Sequence, residues 1–162
     1  YNEGLAEAIK AGLIGDKELF EMFENEDVKE NIEKIIYKSL MVKKYVVEKD
    51  EKELDLRRIL NFGHTIGHAY ESYYELKGYC HGDCVAMGMM AILDNEEIKE
   101  RLRKVLIKNN LPTTNDANPE KVFGYLFKDK KADKDQITIV QVDEIGKAKL
   151  IDMSIEQLRS KL

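Results

Sequence analysis

Two cysteines, two prolines and no long apolar run are found in these 162 residues, and each shortage excludes a class of protein. Cys80 and Cys84 are too few for a disulfide framework, which fits a reducing compartment. No apolar stretch approaches the roughly 18 to 20 residues that a membrane-spanning helix requires. The opening Tyr1-Asn2-Glu3-Gly4 has neither the basic nor the apolar region of a secretory leader. A cytoplasmic protein with no membrane partner is therefore expected. Positive charge is also in short supply: 26 Lys and Arg stand against 31 Asp and Glu, a net charge of −5. No long-range field gathers nucleic acid, so none is expected as a partner, and an anionic ligand must be met by a local basic cluster. No G-x-G-x-x-G occurs, so the chain offers no dinucleotide-binding fingerprint. It starts at Tyr1 and lacks an initiator Met, as expected of a piece of a longer protein.

What is present is enough apolar chain, 43% of residues, for a single globular domain over residues 1–162. With Pro112 and Pro119 its only prolines, most of the first 110 residues are expected to be helical. Asn2 is the expected cap of a helix to Leu13, closed by Gly15, and Asp16 of a second through Phe23. Ile32, Ile35, Ile36, Leu40 and Val47 write the apolar stripe of a long third helix. A fourth is expected from Ile59 to about Tyr74, and a fifth, apolar nearly all round and so placed in the core, from Asp83 to Leu93. The polar stretch Leu111 to Pro119 reads as a loop, followed by a short helix to about Lys128 with Pro at its first turn. Gln136 to Val142 and Lys147 to Ile151 form a hairpin around Asp143 to Gly146, and Ser154 caps a closing helix. The expected fold is mainly α, a multi-helical bundle with one small antiparallel β-hairpin near the C-terminus.

All three histidines, His64, His68 and His81, fall between positions 64 and 81. Residues four apart on a helix share a face, and neutral imidazole is the commonest zinc ligand. Spacing alone therefore singles out His64 with His68, an open site taking a third protein ligand from elsewhere in the chain, where carboxylates are abundant. Cys80, His81 and Cys84 form a rival donor set, since thiolate and imidazole together suit zinc. That set describes a closed, structural style of site, and buried cysteines commonly act as small apolar residues.

The string Arg57-Arg58-Ile59-Leu60-Asn61-Phe62-Gly63-His64-Thr65-Ile66-Gly67-His68-Ala69, with His81-Gly82-Asp83, resembles the carboxyl-terminal domain of 3-dehydroquinate synthase. Further matches follow in order: Gly4-Leu5-Ala6-Glu7-Ala8-Ile9-Lys10, then Lys43 with Val46-Val47 and Asp50, then Asp129-Lys130-Lys131 and Ile145-Gly146. The resemblance implies that Glu7, His64 and His81 hold a divalent metal, Zn2+ or Co2+. It places His68 beside the substrate and off the metal, contrary to the spacing argument. It also makes Lys10, Lys43, Arg57, Asn61, His68, Lys130 and Lys131 substrate contacts, with His68, Lys43 and Asn61 taking part in catalysis. These residue types suit a sugar phosphate: Arg grips an oxyanion with two parallel bonds, Lys supplies point charge, and Asn both donates to and accepts from a hydroxyl. Asp83 stands where the family usually has Glu, and the segment between Met90 and Leu111 looks short for the family.

Members of that family are lyases that convert 3-deoxy-arabino-heptulosonate 7-phosphate to 3-dehydroquinate and phosphate in the shikimate pathway of aromatic amino acid biosynthesis, using bound NAD and a metal. The resemblance thus implies a metal- and substrate-binding domain, inactive alone, that works with an NAD-binding domain amino-terminal to this segment, in a homodimer when full length. Two alternatives stand beside it: a related sugar phosphate cyclase, and a helical metal-binding domain that does no chemistry.

Overall fold

The computed structural model describes residues 1–50, 56–126 and 136–162. The expected ends of the short helix at Lys128 and the expected substrate contacts Lys130 and Lys131 lie outside them. The described residues form a mainly helical fold with one two-stranded antiparallel sheet near the C-terminus. Helix α1 spans Asn2–Gly15, α2 Lys17–Asn25 and α3 Ile32–Asp50. A 3₁₀ turn at Leu56–Asn61 leads into α4 (His64–Tyr74) and α5 (His81–Ile92). Helices α6 (Glu96–Lys108) and α7 (Pro119–Leu126) follow, then strands β1 (Gln136–Glu144) and β2 (Lys147–Ser154) and helix α8 (Ile155–Ser160).

Helix α5 is the centre of the core, with Cys84 to Met90 and Ile92 all buried. It packs on α1 and α4, and the approach is closest where side chains are missing. A Cβ on Gly88 would lie 2.1 Å from the carbonyl oxygen of Gly63 and 2.8 Å from the amide nitrogen of Gly67. One on Gly82 would lie 2.6 Å from the carbonyl oxygen of Asn2. The glycines therefore let the start of α4, the middle of α5 and the start of α1 meet backbone to backbone.

Several expected boundaries shift for local reasons. The cap of α1 is Tyr1 rather than Asn2; the Asn2 amide instead donates to Asp83 Oδ1 at 3.3 Å. Asp16 caps α2 through the Leu19 amide at 3.0 Å. The expected helix from Ile59 to Tyr74 is broken, because Gly63 adopts φ 77° between the 3₁₀ turn and α4. Helix α5 begins two residues earlier than expected, at His81, with the Cys80 amide donating to Asp83 Oδ2 at 3.0 Å. The apolar face of α3 is also corrected: Ile35, Val42 and Val46 are buried, while Ile36 and Leu40 are 52% and 60% exposed. Two apolar stripes lie one residue apart on this helix, and contact with α1, where Val42 meets Gly15, selects the narrower one.

Helix α6, for which no separate bounds were expected, starts on an Asn95 cap that accepts from the Ile98 amide at 3.0 Å. It is tied to α2 by a bidentate Arg101–Glu24 pair at 2.6 and 2.8 Å. Lys108 also donates to the carbonyls of Phe23 and Glu26, each at 2.9 Å, at the end of α2. The hairpin closes the other side: Gln141, buried on β1, donates to the Ile92 carbonyl at 2.9 Å, and the Gly146 amide to the Leu13 carbonyl at 2.9 Å.

Gly88→Ala should therefore lower the unfolding free energy by about 1–3 kcal/mol, as overpacking does. At Gly124 in α7, where a Cβ meets nothing within 4 Å, alanine should raise it by up to about 1 kcal/mol. Urea titration measures both, and a Gly88→Ala chain as stable as the parent would show that the α4–α5 approach is not tight.

Candidate metal centre

Three elements each contribute one donor. Glu7 lies on the second turn of α1, His64 is the first residue of α4 and His81 the first residue of α5. Their ligand atoms all lie within 4.8 Å of one another, the only such group of three or more His, Cys, Asp or Glu among the described residues. Both imidazoles turn Nε2 toward the same oxygen, Glu7 Oε1, at 3.4 Å from His64 and 3.7 Å from His81. Glu7 Oε2 is taken by the Lys10 ammonium at 2.5 Å.

The far edges of the rings are also occupied. His64 Nδ1 lies 3.1 Å from the Phe62 carbonyl, across the break that Gly63 makes. His81 Nδ1 is hydrogen-bonded to Glu71 Oε1 from the third turn of α4. A carbonyl oxygen and an ionised carboxylate can only accept, so each ring places a proton on Nδ1 and, when neutral, leaves Nε2 bare. Two Nε2 lone pairs and a carboxylate oxygen then face one another. Such a set repels itself unless a cation or a proton lies among its members, and its nitrogen and oxygen donors fit a divalent metal such as zinc.

Electrostatics keep the carboxylate ready. Burial works to raise the Glu7 carboxyl, but its contact with His64 and the neighbouring Lys10 charge outweigh it and bring it down to about 2, against an ordinary 4.5. Ionised Glu7 thus stabilises the fold above the ordinary value, and this contribution is lost as pH falls through about 2. Burial pushes the Cys84 thiol up to about 12, helped by the negative charges of Glu71 and Asp83. A thiol must lose its proton to bind zinc, so Cys84 is a poor ligand. Both Asp83 oxygens are used as well, one on the Cys80 amide and one on Asn2.

His68 stands one turn along α4 from His64, exposed, its ring 5.4 Å from that of His64 and 6.2 Å from that of His81. Partial burial, together with the neighbouring His64 and His81, lowers its pKa, and Glu71 opposes them. Lys10 is buried, and besides Glu7 it donates to the Leu60 carbonyl at 2.6 Å. Arg57 and Asn61 are exposed on the 3₁₀ turn, with Arg57 Nε 3.2 Å from Asp50 Oδ2 at the end of α3. Lys43 is exposed on α3, which packs against that turn. The sequence reading passed over two groups at this cluster, the Phe62 carbonyl and Glu71. Glu71 had a signal, since it falls seven residues after His64 and three after His68, on their helix face.

The family model described as 3-dehydroquinate synthase C-terminal matches residues 4–132. Curated 3-dehydroquinate synthases from Clostridium beijerinckii and Clostridium perfringens (strain 13 / Type A) are 38% and 40% identical, each match covering 96% of this chain and 48% of the relative. The chain thus spans about half the length of these relatives. Two solved structures share the fold. One is a 2-epi-5-epi-valiolone synthase from Streptomyces hygroscopicus with NAD+ and Zn2+ bound, at TM-score 0.79 and 21% identity over 99% of this chain and 49% of that one. The other is a 2-deoxy-scyllo-inosose synthase complexed with carbaglucose-6-phosphate, NAD+ and Co2+, at TM-score 0.76 and 23% identity over 99% and 50%. The extent of the family match and the identity to the clostridial enzymes lead to one conclusion: the chain belongs to the 3-dehydroquinate synthase family.

Proposed function

We propose that this chain is the metal- and substrate-binding part of a 3-dehydroquinate synthase, acting on 3-deoxy-arabino-heptulosonate 7-phosphate to release 3-dehydroquinate and phosphate. The observation that carries the proposal is the convergence of Glu7 Oε1 with the Nε2 atoms of His64 and His81. Identity of 38–40% to enzymes of that name favours this substrate over those of the other cyclases.

Glu7, His64 and His81 would hold Zn2+ or Co2+, which supplies Lewis acidity toward substrate hydroxyls. Around that centre the protein provides charge and proton handling. Lys10 holds Glu7 in place with one ammonium hydrogen and Leu60 with a second, leaving a third for the substrate. Arg57 uses Nε on Asp50, and its terminal nitrogens meet an oxyanion. Asn61 and Lys43 bind hydroxyl and anionic groups, as do Lys130 and Lys131 from beyond the described residues. His68 is the proton carrier: its depressed pKa favours the neutral ring, which accepts a proton on one nitrogen and donates from the other. Hydride transfer needs NAD held at reaction distance. The relatives' additional length supports placing that cofactor on an NAD-binding domain outside this segment.

Glu7→Gln, His64→Ala and His81→Ala should each lower zinc content after dialysis, and a joint Cys80→Ser, Cys84→Ser variant should retain it. Metal analysis giving the reverse pattern would move the site to the thiols. His68→Asn should keep zinc while cutting turnover of the full-length enzyme by about 10² to 10⁴, the range for a lost acid or base. Loss of zinc in His68→Asn would instead make the i, i+4 pair the ligands.

The chain alone should neither bind NAD nor turn over substrate. Calorimetry with NAD and a phosphate-release assay, with and without an added amino-terminal domain, check this. Turnover by the chain alone would contradict the division of labour.

A further inference from the structure

We propose that Glu71 is a positioning residue for the metal centre, orienting His81 through Nδ1 so that Nε2 is presented to the cation. The inference rests on the metal-site reading above and adds to it a residue that does not itself bind metal.

Three side chains on one face of α4 point to this role. His64, His68 and Glu71 stand at i, i+4 and i+7, so they share a helix face. The first turn of α4 provides a ligand, and the third turn provides a carboxylate that reaches across to α5. There Glu71 Oε1 meets His81 Nδ1, on the ring edge opposite the Nε2 that faces Glu7. Glu71 is not among the three residues whose donor atoms converge. It is three-quarters covered and its contact with His81 is direct, so the ring of His81 is held at its Nδ1 edge while Nε2 faces Glu7.

The two ligating imidazoles are supported unequally. His64 is backed by a neutral carbonyl, that of Phe62, and His81 by a charged carboxylate. An anionic acceptor on Nδ1–H fixes the tautomer and raises electron density at Nε2, which strengthens the bond to a metal. His81 is thus the stronger donor of the pair, and Glu71 is the cause. Partners of this kind typically contribute about 10- to 100-fold in metal affinity.

The test uses the full chain with zinc, its dissociation constant measured by competition with a chromophoric chelator, for the parent, Glu71→Gln and Glu71→Ala. Circular dichroism and a thermal midpoint establish that each variant folds. Glu71→Ala should weaken zinc about 10- to 100-fold. Glu71→Gln should weaken it less, because its amide oxygen still accepts from Nδ1–H without the charge. Co2+ absorption in both variants should keep the ligand number of the parent, and nitrogen-15 spectra of the zinc form should show His81 protonated on Nδ1 in the parent and in Glu71→Gln. Parent-like zinc affinity in both variants would overturn the assignment. So would a Co2+ spectrum reporting one ligand fewer, which would make Glu71 a ligand. Glu7→Gln and His64→Ala run alongside: if they lose zinc while the Glu71 variants do not, only the role of Glu71 fails. If they retain parent affinity, the metal site itself fails and the Glu71 assignment falls with it.

Discussion

Backbone contact between α4 and α5 at Gly63, Gly67 and Gly88 is the constraint on which the rest depends. Helix axes usually stand 8–10 Å apart, at a distance set by the side chains between them. Here the Gly63 carbonyl occupies the place of a Cβ on Gly88, and the two helices each begin with a histidine. Gly82 repeats the device against α1 and brings Glu7 within reach of both rings. Separate these backbones by the width of a methyl group, and two imidazoles and a carboxylate within 4.8 Å of one another no longer meet.

Placing donors at helix starts also fixes their direction. His64 and His81 sit at the amino-terminal ends of α4 and α5, so the first turn of each helix sets where its ring stands. The acceptors on Nδ1 then decide which nitrogen is bare. His64 and Lys10 do the corresponding work for Glu7, offsetting the burial that works to raise its carboxyl. Each donor is thus held in place by neighbours outside the donor set.

Much of this was legible from residue types. The apolar run from Val85 to Ile92 announced a core helix, Asp16 and Ser154 announced caps, and Q-I-T-I-V-Q-V announced a strand. The resemblance supplied the grouping of Glu7 with His64 and His81, which spacing could not, because Glu7 is brought to the histidines only by tertiary packing. Spacing preferred His64 with His68, and those rings do share a face, but His81 arrives from another helix. The α3 stripe was misread because two apolar stripes were available and only the partner helix chooses between them. The break at Gly63 was hidden in a helical pattern, since a single glycine signals both a helix crossing and a reversal of φ. Glu71 looked like one more acidic residue until His81 was placed beside it.

The central claim is that a divalent cation sits among two imidazole nitrogens and a carboxylate, with no sulfur. X-ray absorption on the zinc-loaded chain tests it most directly. The account predicts nitrogen and oxygen scatterers at about 2.0–2.2 Å with the outer-ring signature of two imidazoles. Sulfur scattering at about 2.3 Å would contradict it.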